Sequence, residues 1–550
     1  MTRRRRMDAW SVITLGCFIF YILFMVYPLF RLFVSSIVEE GTGAFTLKSF
    51  EKFFSTGYYR NTVVNSLKVT VCVTLLSILI AVPLAYLLTV FRIRGAAVIR
   101  VLLLISSMSA PFIGAYSWVL LLGRNGMITN FARNHLGIAL PAIYGFPGIV
   151  LVLTLQLVPL IFMYVSGALK NMDSSLLEAA ESMNCTGIRK ILRVVLPLIL
   201  PTLLAGALLV FMRALADFGT PMLIGEGYKT VPVLIYSSFL GESSQDGSFA
   251  AAVSVLVVIM ATAAFLLQKL VARKLSYSMN MMNPIQSRPL RGGSSALAHL
   301  FVYGYLAVAL LPQLCVVETS FRNTAGLIFA PGHSLGSYRS AFSKMSSAIQ
   351  NTATLSAGAI VLVVLIAILA AYVTVRRPGP LTNALDTMTM MPYIVPGSIL
   401  GICFITAFNS GPLVLTGTGL IMIFVFAVRR LPYTLRSSSA MLYQIDNSVE
   451  EASLSLGAGN LKTFFRIILP IMLPGVLSGA ILSWTTMISE LSASVMLYTG
   501  RTRTMTVAIY TEVVRGNYGV AAALSTLLSF FTICAIVIVF KLTGKDEITL

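Results

Sequence analysis

The chain has 550 residues, of which 57% are hydrophobic and only 11% charged, and its net charge is +20. A soluble domain carries about 25% charged residues, so a mean hydropathy of +0.87 excludes that class, along with disordered, collagen-like and disulfide-stapled secreted chains. What remains is an all-α polytopic membrane protein, whose basic excess belongs to its loops rather than to nucleic acid.

In chain order, Arg3 to Arg6 precede a long apolar segment with no small-residue cleavage site, which is expected to stay as an uncleaved first span. Apolar runs bounded by charges, Gly and Pro predict about twelve helices: 11–37, 62–91, 98–123, 146–169, 196–218 and 248–270, then 299–319, 352–375, 387–409, 414–433, 468–490 and 518–541. Helices are required because hydrocarbon offers the backbone no partner, and the runs lack the alternation of a β-barrel. With an even count both ends lie on one side. The loops on that side hold the greater share of Lys and Arg, so both termini are expected in the cytoplasm. The stretch from Arg273 to Ser295, with Asn283-Pro284, Arg288-Pro289 and Gly292-Gly293, reads as a basic cytoplasmic linker. It divides the chain into a first permeation half, 1–283, and a second, 284–550.

Cys17, Cys72, Cys185, Cys315, Cys403 and Cys534 are scattered without a CxxC, and His135, His299 and His333 are far apart. No metal-ligand set is read from them. Met279, Met281 and Met282, like Met388, Met390 and Met391, read as packing rather than as thioether ligands. Pro83, Pro111, Pro197, Pro201, Pro396, Pro470 and Pro474 are expected to bend or begin helices.

The two halves superpose without gaps at a spacing of 273 residues. Pro159 meets Pro432, Asp173 meets Asp446, Glu178 meets Glu451, Arg193 meets Arg466, Pro197 meets Pro470 and Gly206 meets Gly479. One residue later in register, KTVPVLIY (229–236) matches RTMTVAIY (503–510). Matches at Pro, Gly and charged positions are not produced by shared apolar bias, so this is a duplication. Each repeated loop follows four predicted spans, which makes the repeats parallel rather than inverted.

Two polar loops, 174–201 and 447–474, are too hydrophilic to span and too patterned to be plain connectors. Asp173 and Asp446 are placed to cap a short helix, with Glu178 and Glu451 near its N-terminal end. Asn184 and Gly457 tolerate positive φ and should end that helix. Thr186 and Asn460 are placed to cap a second helix running into Leu196-Pro197 or Leu469-Pro470. An interfacial hairpin with no chemistry is the plain alternative, but a matched pair suggests a partner with two equivalent receiving surfaces.

These loops resemble the EAA loops of type I ABC importer permeases: Glu178-Ala179-Ala180, Asn184 in place of Gly, then Val194-Val195-Leu196-Pro197, and Glu451-Ala452-Ser453, Gly457, then Ile467-Ile468-Leu469-Pro470. The departures are Asn184, Ser453 and Val194. The resemblance implies that Glu178, Ala179, Ala180 and Asn184, and Glu451, Ala452, Ser453 and Gly457, dock two copies of a cytoplasmic ABC ATPase. It also implies an external substrate-binding protein, periplasmic or lipid-anchored, and a bacterial inner membrane location. No GxxxxGK[ST] occurs, so the chain is expected to be a translocation subunit and not an enzyme. ATP and Mg would then sit on the partner, with no cofactor on this chain. The fused halves and Ala216-Asp217-Phe218-Gly219-Thr220-Pro221 most resemble the ferric-iron uptake permeases, with thiamine and aminoalkylphosphonate permeases sharing much of the pattern.

Charged residues inside spans are functional candidates. Arg213 and Asp217 stand four apart on one helix face. Glu490 is the repeat partner of Asp217, with Thr486 opposite Arg213. They read either as an internal pair plus a membrane-end glutamate, or as oxygens lining a cation path. A carrier driven by an ion gradient is the alternative of another class, and it would use such carboxylates for coupling.

Overall fold

The computed structural model describes residues 8–39, 43–108, 111–241, 246–274, 283, 285, 287–290, 292–325 and 328–543. Arg3 to Arg6, Met279, Met281, Met282 and Pro284 lie outside the described residues. Most of the described residues are helical, and the one sheet among them is two-stranded and antiparallel, Arg322–Ala325 with Ile328–His333.

Among the described residues nine helices are long and apolar enough to cross a membrane, and a tenth candidate is a pair bent by 114°. Every predicted span falls on helix, but two of the twelve differ in form. The run at 98–123 is helical on both sides of 109–110, which lie outside the described residues, as Ala96–Met108 and Pro111–Leu122. The run at 387–409 turns at Val395, which is extended (φ −86°, ψ 119°) because the ring of Pro396 disfavours the helical conformation before it. The run at 414–433 belongs to Gly419–Tyr443, a helix of spanning length that carries Arg429, Arg430 and Arg436.

The chain forms two compact units. One comprises residues 1–53, 235–255 and 335–548, the other mainly 54–234 and 256–334. Within the first unit, Ser346–Arg376 packs along Gly419–Tyr443, which in turn packs on Asn460–Ile488. Ala9–Ile37 lies on this group, with Phe24 stacked on Phe424 (centroids 4.1 Å apart) and close to Phe408. Within the second unit, Gly57–Val90 packs along Phe146–Lys170 and against Gly187–Ala216, while Gly293–Phe321 covers Ala96–Met108 and Pro111–Leu122. The first helix of each half is thus housed with the other half's helices.

The repeat is visible element by element. Phe146–Lys170 answers to Gly419–Tyr443, Ser174–Ser182 to Asn447–Ser455, and Val231–Leu240 to Met505–Val514. Gly206 and Gly479 mark the same helix crossing in each. A Cβ on Gly479 would stand 2.7 Å from the Cα of Thr434, and one on Gly206 would be 3.2 Å from the Cβ of Tyr164. Small residues let membrane helices approach this closely.

Wide π-turns occur at Ile22–Val26, Ile191–Val195 and Phe464–Ile468. Each is followed two residues later by a proline: Pro28, Pro197 and Pro470. A proline ring inside a helix collides with the carbonyl four residues back. Shifting the preceding bonds to five-residue spacing, as in Leu196 N–H to Ile191 O, relieves the collision without breaking the helix.

Candidate functional site: two matched helical hairpins

Each hairpin is built by local rules that its sequence carries. Asp173 is extended (φ −73°, ψ 128°) and accepts a hydrogen bond from Ser175 N–H at 2.9 Å. Asp446 does the same with Ser448 N–H at 2.8 Å. That backbone contact holds the Asp446 carboxyl below the usual carboxylate range. The helices Ser174–Ser182 and Asn447–Ser455 both end in a left-handed residue, Asn184 (φ 59°) and Gly457 (φ 82°). Their closing bonds correspond as well. Cys185 N–H donates to Ala180 O (2.9 Å) and Asn184 N–H to Glu181 O (2.9 Å), matched by Ala458 to Ser453 (3.2 Å) and Gly457 to Leu454 (2.9 Å). This is a Schellman closure in both copies.

The second arms differ from expectation at their start. Thr186 stands at the N-cap without a side-chain bond, and in the second copy the cap is Gly459, with Asn460 already helical. Each arm then runs without a break through its π-turn into a spanning helix, Gly187–Ala216 or Asn460–Ile488.

The motif residues divide between inside and outside. Glu178, Ala179, Glu451 and Ala452 are exposed, as are Asn184 and Gly457. Ala180 and Ser453 are buried, 2% and 5% exposed, and face the second arm. Ser453 replaces alanine without penalty because its hydroxyl pairs with that of Thr463 at 2.8 Å. Glu178 and Glu451 are each the fifth helical residue, beyond the first turn. The acid at the N-terminal end is Glu450, and only in the second copy.

The outer surface carries residues that motif reading missed. Met183 and Ile188 are 76% and 75% exposed, and their repeat partners Leu456 and Leu461 are 89% and 41% exposed. Leu192 and Phe465 continue the strip at 56% and 55%. Large apolar side chains are thus exposed at equivalent positions of the two polar loops. The signal lay in the 273-residue spacing, read for apolar residues as well as for charges.

Different groups hold the two hairpins in place. In the second, Arg376 Nε donates to Glu450 Oε1 at 2.9 Å, the Tyr372 hydroxyl to Glu450 Oε2 at 3.0 Å, and Arg376 also reaches Asn447 and the Ile445 carbonyl. In the first, Lys190 Nζ stands 2.6 Å from Glu181 Oε1, and Arg288 bonds both Glu181 and Glu178. The bonds from Lys190 and Arg288 hold the Glu181 carboxyl below its usual 4.5.

The in-span charges take structural places. Asp217 is buried and accepts a bond from Thr220 N–H at 2.8 Å, capping the short helix Gly219–Ile224, while Arg213 is exposed. Glu490 repeats that cap with Ala493 N–H at 3.2 Å. Glu490 also pairs with Arg429 and Arg430 of Gly419–Tyr443, basic partners that its own helix, with Thr486 opposite Arg213, does not supply. The Arg429 guanidinium occupies the space that a Cβ on residue 397 would take, space that Gly397 leaves open. Near this cluster the repeat partners Tyr236 and Tyr510 hydrogen-bond each other.

The family described as binding-protein-dependent transport system inner membrane component matches residues 53–277 and again 363–543, well over half of the chain. The chain belongs to this family. The permease is therefore two fused copies of one transport module in a multi-pass inner-membrane component. It is 29% identical to the ferric transport system permease protein FbpB of Actinobacillus pleuropneumoniae, over 96% of this chain and 77% of that protein. The probable ABC transporter permease protein y4fN of Sinorhizobium fredii is 25% identical over 88% of this permease and 87% of its own length. The putative 2-aminoethylphosphonate transport system permease protein PhnV of Salmonella paratyphi A is 30% identical over 30% of this permease and 62% of its own length.

Proposed function

We propose that the permease imports ferric iron, driven by two ATPase subunits that grip the paired hairpins and fed by an external binding protein, with both termini in the cytoplasm. The matched hairpins carry this reading: each presents an exposed glutamate and an apolar strip at equivalent positions. The ferric substrate is supported by the relative that aligns along almost the whole chain. An ATPase pair drives transport only if it binds two permease conformations with different affinity. The rigid caps and closures of the hairpins suit them to pass such a change into the spans that continue from them.

One observation favours a second reading of the cargo, an anionic solute such as a phosphonate. Arg429 and Arg430 together outweigh Glu490, so that cluster is net positive and offers no free carboxylate to a bare cation. On the ferric reading the metal bypasses Glu490 or travels with anionic ligands.

The test is uptake into vesicles containing the permease, its ATPase and its binding protein, with ferric iron and aminoethylphosphonate each offered alone. Iron uptake that needs ATP is expected, together with its loss in E178K/E451K while membrane insertion stays normal. Undiminished ATP-driven uptake by the double variant would overturn the docking role. Phosphonate uptake without iron uptake would overturn the substrate.

A further inference from the structure

The linker between the repeats does more than join them. Arg288 N–H donates to Val90 O at 2.9 Å, Arg92 N–H to Arg288 O at 3.0 Å, and Arg92 Nε to Ser287 O at 3.1 Å, which pins residues 287–288 beside the end of Gly57–Val90. From that seat the Arg288 guanidinium reaches the first hairpin. Its Nη1 is 3.0 Å from Glu181 Oε2 and its Nη2 is 3.4 Å from Glu178 Oε1. Asn283, also in the linker, accepts Ser174 N–H at 2.9 Å, one of the free donors at the start of the hairpin helix.

The second repeat achieves the same contact with its own helix. Arg376, the last residue of Ser346–Arg376, holds Glu450 and Asn447. Ala85-Tyr86 corresponds to Ala371-Tyr372, just over one helical turn before the end of each long helix. Here the spacing is 286 residues, wider than the 273 of the hairpins because the segments between the long helix and the hairpin differ in length, and it sets Val90 opposite Arg376. The first repeat therefore has no arginine where the second has one. Val90, the residue in that place, is the one whose carbonyl seats Arg288.

We propose that Arg288 is the positioning residue of the first hairpin, supplied by the linker in place of the arginine that the first repeat lacks. The second hairpin is held by its own repeat and the first by the connector, so the two handles are mechanically unequal. A displacement of the first hairpin pulls on the linker, and a displacement of the second pulls on Ser346–Arg376. Only the consequence for transport rests on the docking role proposed above.

Hydrogen exchange of the hairpin amides in the intact permease, held in lipid nanodiscs, tests the placement. R288A is expected to speed exchange in 174–193 about three- to tenfold, the scale of a partly exposed charge-assisted contact, and to leave 447–466 unchanged. R376A is expected to do the reverse. Val90→Arg added to R288A should return protection to the first hairpin. Unchanged exchange in R288A, equal loosening of both hairpins, or failure of the compensating variant would overturn the proposal. ATP-driven uptake, measured on the same variants, reports separately: a loosened first hairpin with undiminished uptake would count against the docking role and leave the placement by Arg288 standing.

Discussion

Asn184 and Gly457 occupy the same step of the two hairpins, and both stand at positive φ. Asparagine visits this region at small cost and glycine at none, whereas a β-branched side chain meets its own backbone there. Asn184→Gly is therefore expected to leave stability near that of the parent. Asn184→Val should lose about 1–2 kcal/mol of local stability, read as hydrogen exchange confined to 174–193. The acids at the span ends differ in a way their alignment hides. Asp217 accepts a backbone N–H, a bond that the side-chain oxygen of an asparagine would also accept, so Asp217→Asn should cost little. Glu490→Gln leaves Arg429 and Arg430 largely buried without their counter-charge. It should lower the detergent-solubilised melting temperature sharply, by the equivalent of about 3–5 kcal/mol. A mild Glu490→Gln would mean that the arginines find other partners.

Among elements, the π-turns Ile191–Val195 and Phe464–Ile468 have the clearest mechanical role. Each lies between a hairpin and the spanning helix that continues from it, and each adds one residue to the helical path. Deleting Leu192 would remove that extra residue and press the Pro197 ring onto the carbonyl four residues back, bending the joint between the first hairpin and its span. The expected result is a permease that inserts and remains folded but has lost ATP-driven uptake, as measured in the same vesicles. Deleting a residue from the exposed stretch 409–411 should be tolerated by comparison, since loops absorb such changes. The anchoring of the hairpins was less legible. Asp173, Asp446, Asn184 and Gly457 act within a few residues of themselves, so their roles could be read from spacing alone. Arg376 and Arg288 act on carboxylates 74 and 107 residues away, and no local pattern announces such pairs.

At the scale of the whole molecule, the helix Ala9–Ile37 belongs to a compact unit otherwise formed mostly by residues 335–548. There it covers Phe404, Phe408 and Phe424. A fragment 284–550 expressed alone would leave those aromatic faces without their cover. It is expected to be degraded or protease-sensitive in membranes and to gain resistance when 1–283 is co-expressed. Equal resistance with and without the first fragment would sink this expectation.

Sequence by itself determined the fold class, the duplication and the two hairpins with the aspartate caps and left-handed stops of their first arms, because each rests on composition or on contacts within a helical turn or two. Tertiary structure alone decided the rest. It turned Ala180 and Ser453 inward, gave Glu490 two arginines, moved each half's first helix among the helices of the other half, and set Arg288 against the first hairpin. These outcomes depend on which helices pack together across long stretches of chain, and burial energy in a uniformly apolar sequence does not name the partner in advance.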